Sequence, residues 1–390
     1  MFMDVRRPRG LVLAAAAAVA LVSGGVTVVL TSGDGGECDP TGDIEPTVGI
    51  DIGGGRHAPA VADRQRLYAP SPETLEYAGF DLGSGDEVWT SDIERTAGDV
   101  VAVADGTVFI LRPAERELVA LDGVSGDERW RVGLGERPEF GSSLAVAAGR
   151  VLVGGPDTVA FDANSGDPLW SIDMSSSALV AVDDVAVLVA DAPEDRATQV
   201  VGVDAESGDE RWSAEYRQPL ANVFGRTLAA GDRVVAVPLG GDVGPGRVAV
   251  LDLDDGHEVT VIEFDDGPGS VAAANGVIAA AGPLGENIPN AGDVFAVTED
   301  GDQAWSENYD GAVMVMSASC RLLVRANKVA ALVDPATGRT RHRINSDDLV
   351  DEPTLGLGDE IFSAGTGFGV RVERQDGNGS EFAVTVVVFR

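Results

Sequence analysis

A ten-residue phrase recurs along this chain and restricts its fold more than any other feature. It reads FDLGSGDEVW at 80–89, LDGVSGDERW at 121–130, FDANSGDPLW at 161–170 and VDAESGDERW at 203–212. Weaker copies are LDLDDGHEVT (251–260), AVTEDGDQAW (296–305) and VDPATGRTRH (333–342). Their last positions advance in steps of 41, 40, 42, 48, 45 and 37 residues, and all five tryptophans fall in that slot. A period of about 40 residues marks a repeat array rather than a string of ordinary domains.

The phrase has a physical reading. An apolar residue and Asp end one strand, turn residues follow, and Gly takes the positive-φ position of a hairpin while the Asp accepts hydrogen bonds from the turn amides. The next strand carries Trp, a ring that buries about 150–250 Å². Wedged against a neighbouring repeat, it would cost roughly 3–5 kcal/mol to truncate. The structural positions are Asp81, Gly85 and Trp89; Asp122, Gly126 and Trp130; Asp162, Gly166 and Trp170; Asp204, Gly208 and Trp212; and Trp305. Ahead of each phrase stand two apolar runs around a tight turn, as in VVAVADGTVFIL (100–111) and SLAVAAGRVLVG (143–154). Each unit is therefore strand A, turn, strand B, connection, strand C, turn, strand D, which is one propeller blade.

The D-x-x-[ST]-G-x-x-x-W phrase resembles the PQQ-like (pyrrolo-quinoline quinone) repeat of quinoprotein dehydrogenases and of BamB-like outer-membrane assembly lipoproteins. The match is specific in Asp81–Trp89, Asp122–Trp130, Asp162–Trp170 and Asp204–Trp212. It weakens where Thr260 and His342 occupy the Trp slot and where Val297 stands for the Asp. The expected fold is all-β, a β-propeller of four-stranded blades over 56–390 following one N-terminal transmembrane helix. Counting gives eight blades, the last over 354–390; a seven-bladed ring whose last segment completes the first blade is the alternative.

Residues 11–30, LVLAAAAAVALVSGGVTVVL, carry no charge. As a helix they would span roughly 30 Å, a bilayer core. Arg6, Arg7 and Arg9 precede them, so residues 1–10 are expected in the cytoplasm and the remainder outside, as a single-pass membrane protein. A cleaved signal peptide is the other reading, and would make the protein secreted. It is disfavoured because the apolar run is long and no A-x-A-like site follows. Gly35, Gly36 and Glu37 before Cys38 form no lipoprotein signature, and residues 31–55 read as a Gly-, Asp- and Pro-rich tether.

The net charge of −36, from 64 acidic against 28 basic residues, excludes nucleic-acid binding, which depends on clustered cations. No nucleophile elbow, zinc-protease helix, P-loop or paired C-x-x-C is present, and His57, His257 and His342 lie far apart. Asp252, Asp254 and Asp255, with Glu263, superficially fit a twelve-residue calcium loop, but the same slot elsewhere is a hairpin. No adjacent-cysteine pair or quinone-ligating ring can be matched, so no catalytic residue, metal ligand or cofactor is expected. Cys38 and Cys320 are a possible disulfide, which would pin the tether to one face of the ring.

A–B and C–D turns must share one face, and B–C and D–A connections the other. On that second face the sequence lengthens at 191–199, 238–247 and 282–291, beside EYRQPLANVFG (215–225) with Tyr216, Arg217 and Phe224. These residues form a candidate partner rim. The expected function is a non-enzymatic, membrane-anchored extracytoplasmic scaffold or ligand-sensing domain. Its partner would be another envelope or secreted protein, and envelope assembly is implied by the resemblance. A quinone- or calcium-dependent oxidoreductase of the quinoprotein type is the alternative. A glycan lectin finds no support in an aromatic content of 5%.

Overall fold

The computed structural model describes residues 46–53, 59–135, 143–192, 197–221, 228–240, 245–282, 292–309, 313–318, 320–326, 329–345, 354–364, 367–375 and 382–389. These residues form eight four-stranded antiparallel sheets. Seven are continuous in sequence: blade 1 runs from Val61 to Glu94, blade 2 from Val100 to Gly133 and blade 3 from Leu144 to Ile172. Blade 4 follows from Ala178 to Tyr216, blade 5 from Ala229 to Phe264, blade 6 from Ser270 to Asn308 and blade 7 from Val313 to Asn345. The A strands of successive blades neighbour one another all the way round the ring, the eighth returning to the first.

Blade 8 is built from both ends of the ring. Thr354–Ala364, Gly367–Gln375 and Phe382–Phe389 supply strands A, B and C, and Pro46–Ile52 adds as the outer strand D. The pairing runs from Val48↔Val388 to Ile52↔Val384. The last segment therefore makes its own sheet rather than completing blade 1. The segment read as a tether over 31–55 is corrected accordingly: it contains a strand. Ile50 and Ile52 alternate with Gly49 and Asp51 and pack with Leu67 and Phe80 of blade 1. A lone strand whose partner lies at the other end of the sequence carries no local signal of pairing. Residues 1–45, including the apolar run 11–30 and Cys38, lie outside the described residues; among those described, no helix is long and apolar enough to cross a membrane.

The C–D turns follow one design. In blade 2 the Asp122 carboxylate accepts the amides of Val124 and Ser125, each at 2.9 Å, while Gly126 N–H reaches back to the Asp122 carbonyl at 2.8 Å. Asp81, Asp162 and Asp204 accept the equivalent pairs of amides. Gly126, Gly166 and Gly208 sit at φ of 78°, 76° and 79°. Side chains with a Cβ resist that region.

The residue after each Asp joins three elements. Gly123 N–H donates to Gly106 in the A–B turn of its own blade at 2.8 Å, and its carbonyl accepts the indole Nε1–H of Trp89 from blade 1 at 3.1 Å. Trp130 donates to Ala163, Trp170 to Ala205, Trp212 to Leu253 and Trp305 to Pro335 in the same way, at 3.1, 3.3, 2.7 and 2.6 Å. Each ring also lies flat on the positive-φ glycine of the next blade. A Cβ added to Gly166 would stand 2.7 Å from the Trp130 ring, and one on Gly338 2.7 Å from Trp305. The A–B and C–D turns thus share one sealed face.

The exceptions have physical causes. In blade 6, Gln303 pairs with Val297 and Trp305 with Ala296, which places Thr298, not Val297, in the Asp slot. The turn is one residue shorter, and Gly301 N–H bonds the Thr298 carbonyl at 2.9 Å. In blade 8, strands C and D are not joined by a hairpin, so the Trp slot of blade 7 has no such turn to cover and holds His342. Conversely, Val48 and Gly49 of the borrowed strand lie against Gly85 of blade 1, where a Trp would stand elsewhere.

Two outcomes follow from this turn design. Gly166→Ala should destabilise by well over the ~1 kcal/mol that its positive φ alone costs, because the Cβ also strikes Trp130. Gly106→Ala, at φ 69° with nothing within 4 Å, should cost only the backbone term; denaturant midpoints compare the two. Arg129, then the Ser125 amide, hold Asp122 at a pKa of about 2, and Arg211, then the Ser207 amide, do the same for Asp204. Both groups have folded values below the ordinary 3.8, so their stabilisation is complete above about pH 4 and fades as pH falls toward 2. Asp122→Asn should flatten the pH dependence of the unfolding midpoint in that window.

Candidate partner-binding face

The opposite face, made of B–C and D–A connections, is less uniform. In blade 4 strands B and C extend to the Ala192↔Ala197 pair, so the stretch read as a loop over 191–199 begins and ends as strand, and 193–196 lie outside the described residues. In blade 5 the ladder ends at Leu239↔Arg247, and Gly240 at φ 132° begins a connection whose residues 241–244 lie outside the described residues. In blade 6 the connection follows Ala281↔Val294, and 283–291 lie outside as well.

The D–A connection after blade 4 is zipped onto this rim. Ala221 N–H donates to the Pro238 carbonyl and Gly240 N–H to the Pro219 carbonyl, both at 2.9 Å, around an isolated Leu220↔Leu239 bridge. Leu220 and Ala221 are buried. Gly246 packs so closely on Gly267 and Pro268 that a Cβ would approach them to 2.7 and 2.8 Å. Blade 5 is thereby gripped by the connections on both sides of it.

The expected rim residues separate. Tyr216 is 8% exposed, a correction to its reading as a contact residue. It ends strand D of blade 4 and its ring meets the Arg247 guanidinium of blade 5 at 5.2 Å. Arg247 in turn lies 3.8 Å from the Glu258 carboxylate. Burial first, then the Glu258 charge, push the Tyr216 hydroxyl up to about 12. Tyr216 is therefore an interblade wedge, apolar ring inward, on the same side of the outer strand as the buried Trp212 four residues earlier, as the two-residue alternation of a strand requires. Arg217 is exposed on the face, and Phe224 lies outside the described residues.

Two polar clusters that the sequence did not announce lie between blades on this face. Asp99, 4% exposed, accepts the Thr96 amide at 2.9 Å, the Thr96 hydroxyl at 2.6 Å and the Tyr77 hydroxyl at 3.0 Å. Burial raises the pKa of both Asp99 and Tyr77. Arg112 closes the cluster, donating to the Glu94 carbonyl and the Glu117 carboxylate, each at 3.2 Å. Between blades 3 and 4, Thr158 meets Ser176 at 2.9 Å, and the absent side chain of Gly154 leaves room for Ser143 and Ser176. Thr158 and Ser176 satisfy one another, whereas the Ser143 hydroxyl is buried without a hydrogen-bond partner among the described residues. No motif spacing marks either cluster, because its members come from different strands.

Of the other candidates, Asp252, Asp255 and His257 bring ligand atoms within 4.8 Å of one another on the blade 5 turn, largely exposed. His257 Nδ1 meets Asp255 at 2.6 Å, a hydrogen bond that raises the His257 pKa, while the His257 backbone amide, then its ring, lower that of Asp255. Strand C ends at Asp252 and strand D starts at Glu258, with Glu263 opposite Arg247, so the calcium-loop spacing is a hairpin. His342 is exposed on the outer strand of blade 7. Cys320 lies in the A–B turn of blade 7 and is disulfide-bonded; Cys38 lies outside the described residues.

Comparison with known proteins agrees with this architecture. BamB from Moraxella catarrhalis is 17% identical, with a TM-score of 0.57 over 90% of this chain and 98% of that one. A computationally designed protein, Ika8, gives 15% identity and a TM-score of 0.60 over 87% and 98%. A europium-containing methanol dehydrogenase gives 11% and 0.52 over 89% and 93%. At such identities these likenesses speak for the fold alone. No curated protein matches. A family model described as outer membrane protein assembly factor BamB matches residues 76–158 and 124–298, more than half of the 390 residues. The chain belongs to that family of PQQ-like repeat β-propellers.

Proposed function

We propose that this protein is a non-enzymatic, membrane-anchored extracytoplasmic scaffold that binds another envelope protein through its B–C/D–A face. The observation that carries the reading is the asymmetry between the two faces. On the turn face the short hairpins, the A–B turns and the tryptophans are spent on one another, as the Gly106–Gly123–Trp89 chain of hydrogen bonds illustrates. On the other face the connections differ in length and the exposed Arg217 stands beside an immobilised D–A segment. Rigid scaffolds concentrate recognition in such connections. Family membership supports an assembly role of the kind that the description of the family names.

The quinoprotein alternative keeps a structural relative in the methanol dehydrogenase. A quinone–calcium centre needs a flat ring clamp and a set of free carboxylates. Here the five tryptophans hold turn carbonyls of neighbouring blades, Asp99 is bonded to Thr96 and Tyr77, and Asp334 is paired with Arg341 at 2.5 Å. That these groups are engaged in holding the blades together supports the scaffold reading over the quinone–calcium one.

The anchor is the apolar run 11–30, followed by an acidic tether. The bonded Cys320 has one candidate partner within the chain, Cys38, since the sequence contains two cysteines. The topology supports this pairing. The chain enters blade 8 at Pro46 on the turn face, where Cys320 of the adjacent blade also lies, and the seven residues between Cys38 and Pro46 reach about 25 Å. Non-reduced peptide mapping should recover a Cys38–Cys320 cross-link; two free thiols would sink the pairing.

The function itself is tested by a photoreactive residue at Gly241 in living cells, compared with one at Asp105 on the turn face. Repeated recovery of one protein from Gly241 and not from Asp105 is the expected result. Recovery of none from the B–C/D–A face, with binding of added quinone and calcium by the purified chain, would move the assignment to the oxidoreductase.

A further inference from the structure

From the charge distribution and the position of Cys320, we infer that the propeller is held with its turn face toward the membrane, blade 7 nearest the lipid, so that the B–C/D–A face looks outward. This rests on the anchoring and the Cys38–Cys320 pairing proposed above, and adds an orientation that neither supplies.

The first observation is geometric. D strands start on the turn face: Glu87 follows the Asp81 turn, and the borrowed Pro46–Ile52 strand starts there too, with Val48 against Gly85. Cys320, between Ala318 and Arg321, lies on that same face at the inner end of blade 7. Seven residues, 31–37, separate Cys38 from the end of the apolar run. At about 3.3–3.6 Å per residue they reach roughly 25 Å. Without the bond the leash would be the fifteen residues 31–45, attached at the outer rim of blade 8, roughly 50 Å long and able to swing the ring over. Bonded at an inner turn of blade 7, the short leash cannot pass around the rim, so the far face cannot turn to the bilayer.

The second observation is electrostatic and independent of the first. From Val248 to Cys320 the chain contains no Lys or Arg. Blade 7 reverses the sign of the sequence: between Val313 and Asn345 stand five Arg and Lys328 against one carboxylate, Asp334, with Arg321 and Arg325 already engaged within the fold and Arg339, Arg341 and Arg343 at its turn end. Arg339, in the C–D turn, and Arg341 and Arg343, on strand D just beyond it, are exposed; Asp334 is 5% exposed and takes only Arg341. The outer strands of blades 1, 4 and 6 are net acidic instead, with Glu87, Asp92 and Glu94, with Glu210 and Glu215 against Arg211, and with Glu307. In a protein of net charge −36, anionic headgroups would repel most of the surface. The turn end of blade 7 is a place where they would not. It coincides with the point where the disulfide brings the tether.

The test uses the full chain reconstituted in phosphatidylcholine–phosphatidylglycerol vesicles carrying an acceptor dye on the headgroups. A donor is attached through a non-natural residue at Ala336, in the turn of blade 7, or at Ala114, in the B–C turn of blade 2. Strong energy transfer from Ala336 and weak transfer from Ala114 are expected. The difference should shrink in Cys38→Ser, which frees the leash. The double variant R339E/R343E should lower transfer from Ala336 on these vesicles and leave it unchanged on pure phosphatidylcholine. Equal transfer from both sites, or stronger transfer from Ala114, in chains that float with the vesicles would overturn the orientation and leave the anchoring intact. Chains that do not float with the vesicles would overturn the anchoring and the orientation together.

Discussion

An indole lying on the glycine of the next blade is the contact on which the rest of this ring depends. The Trp130 ring covers Gly166 at φ 76° and its N–H reaches the Ala163 carbonyl. The same residue, Ala163, gives its own N–H to Gly149 in the A–B turn. One residue therefore ties the rim of one blade to both hairpins of the next. Blades so joined cannot slide, because a displacement loses a buried hydrogen bond and opens a void under a large ring. The small residues facing the indole from strand C, Gly79, Ala120, Ala160, Gly202 and Ala296, give it the space it occupies.

Closing the ring presents a separate problem, since the last blade cannot use this device on both sides. The chain solves it by pairing its Pro46–Ile52 strand with Phe382–Phe389, trading the Trp contact for a full ladder. Val48 fills part of the space over Gly85, and His342 stands where no hairpin waits to be covered. The closure therefore rests on backbone hydrogen bonds and on Ile50 and Ile52 packing against blade 1.

The face opposite the turns is organised by burial of polar groups rather than by a repeated motif. Asp99 with Tyr77 and Thr96, and Tyr216 with Arg247, fill interblade seams that differ from one seam to the next. Each seam pairs its polar groups in its own way, which is what allows connections of unlike length to stand side by side without a common template. That freedom makes the face a suitable place for partner recognition. The turn face, which repeats the same contacts, has little variation to offer.

The repeat phrase was sufficient to identify the four-stranded unit, the hairpin glycines, the Asp caps and the tryptophan wedge, because each depends on residues within ten positions of one another. Its spacing also separated the two faces. Other features depended on contacts between distant segments. The Pro46–Ile52 strand read as tether because its only partner is at the far end of the chain. Tyr216 read as an exposed contact because the Arg247 that covers it belongs to the next blade. The shift of the Asp slot to Thr298 emerged only from strand register, since a one-residue shortening of a turn leaves the flanking sequence almost unchanged. Local hydrogen bonding and φ preference are written residue by residue in the sequence, whereas ring closure and interblade burial are set by which distant surfaces the fold brings together.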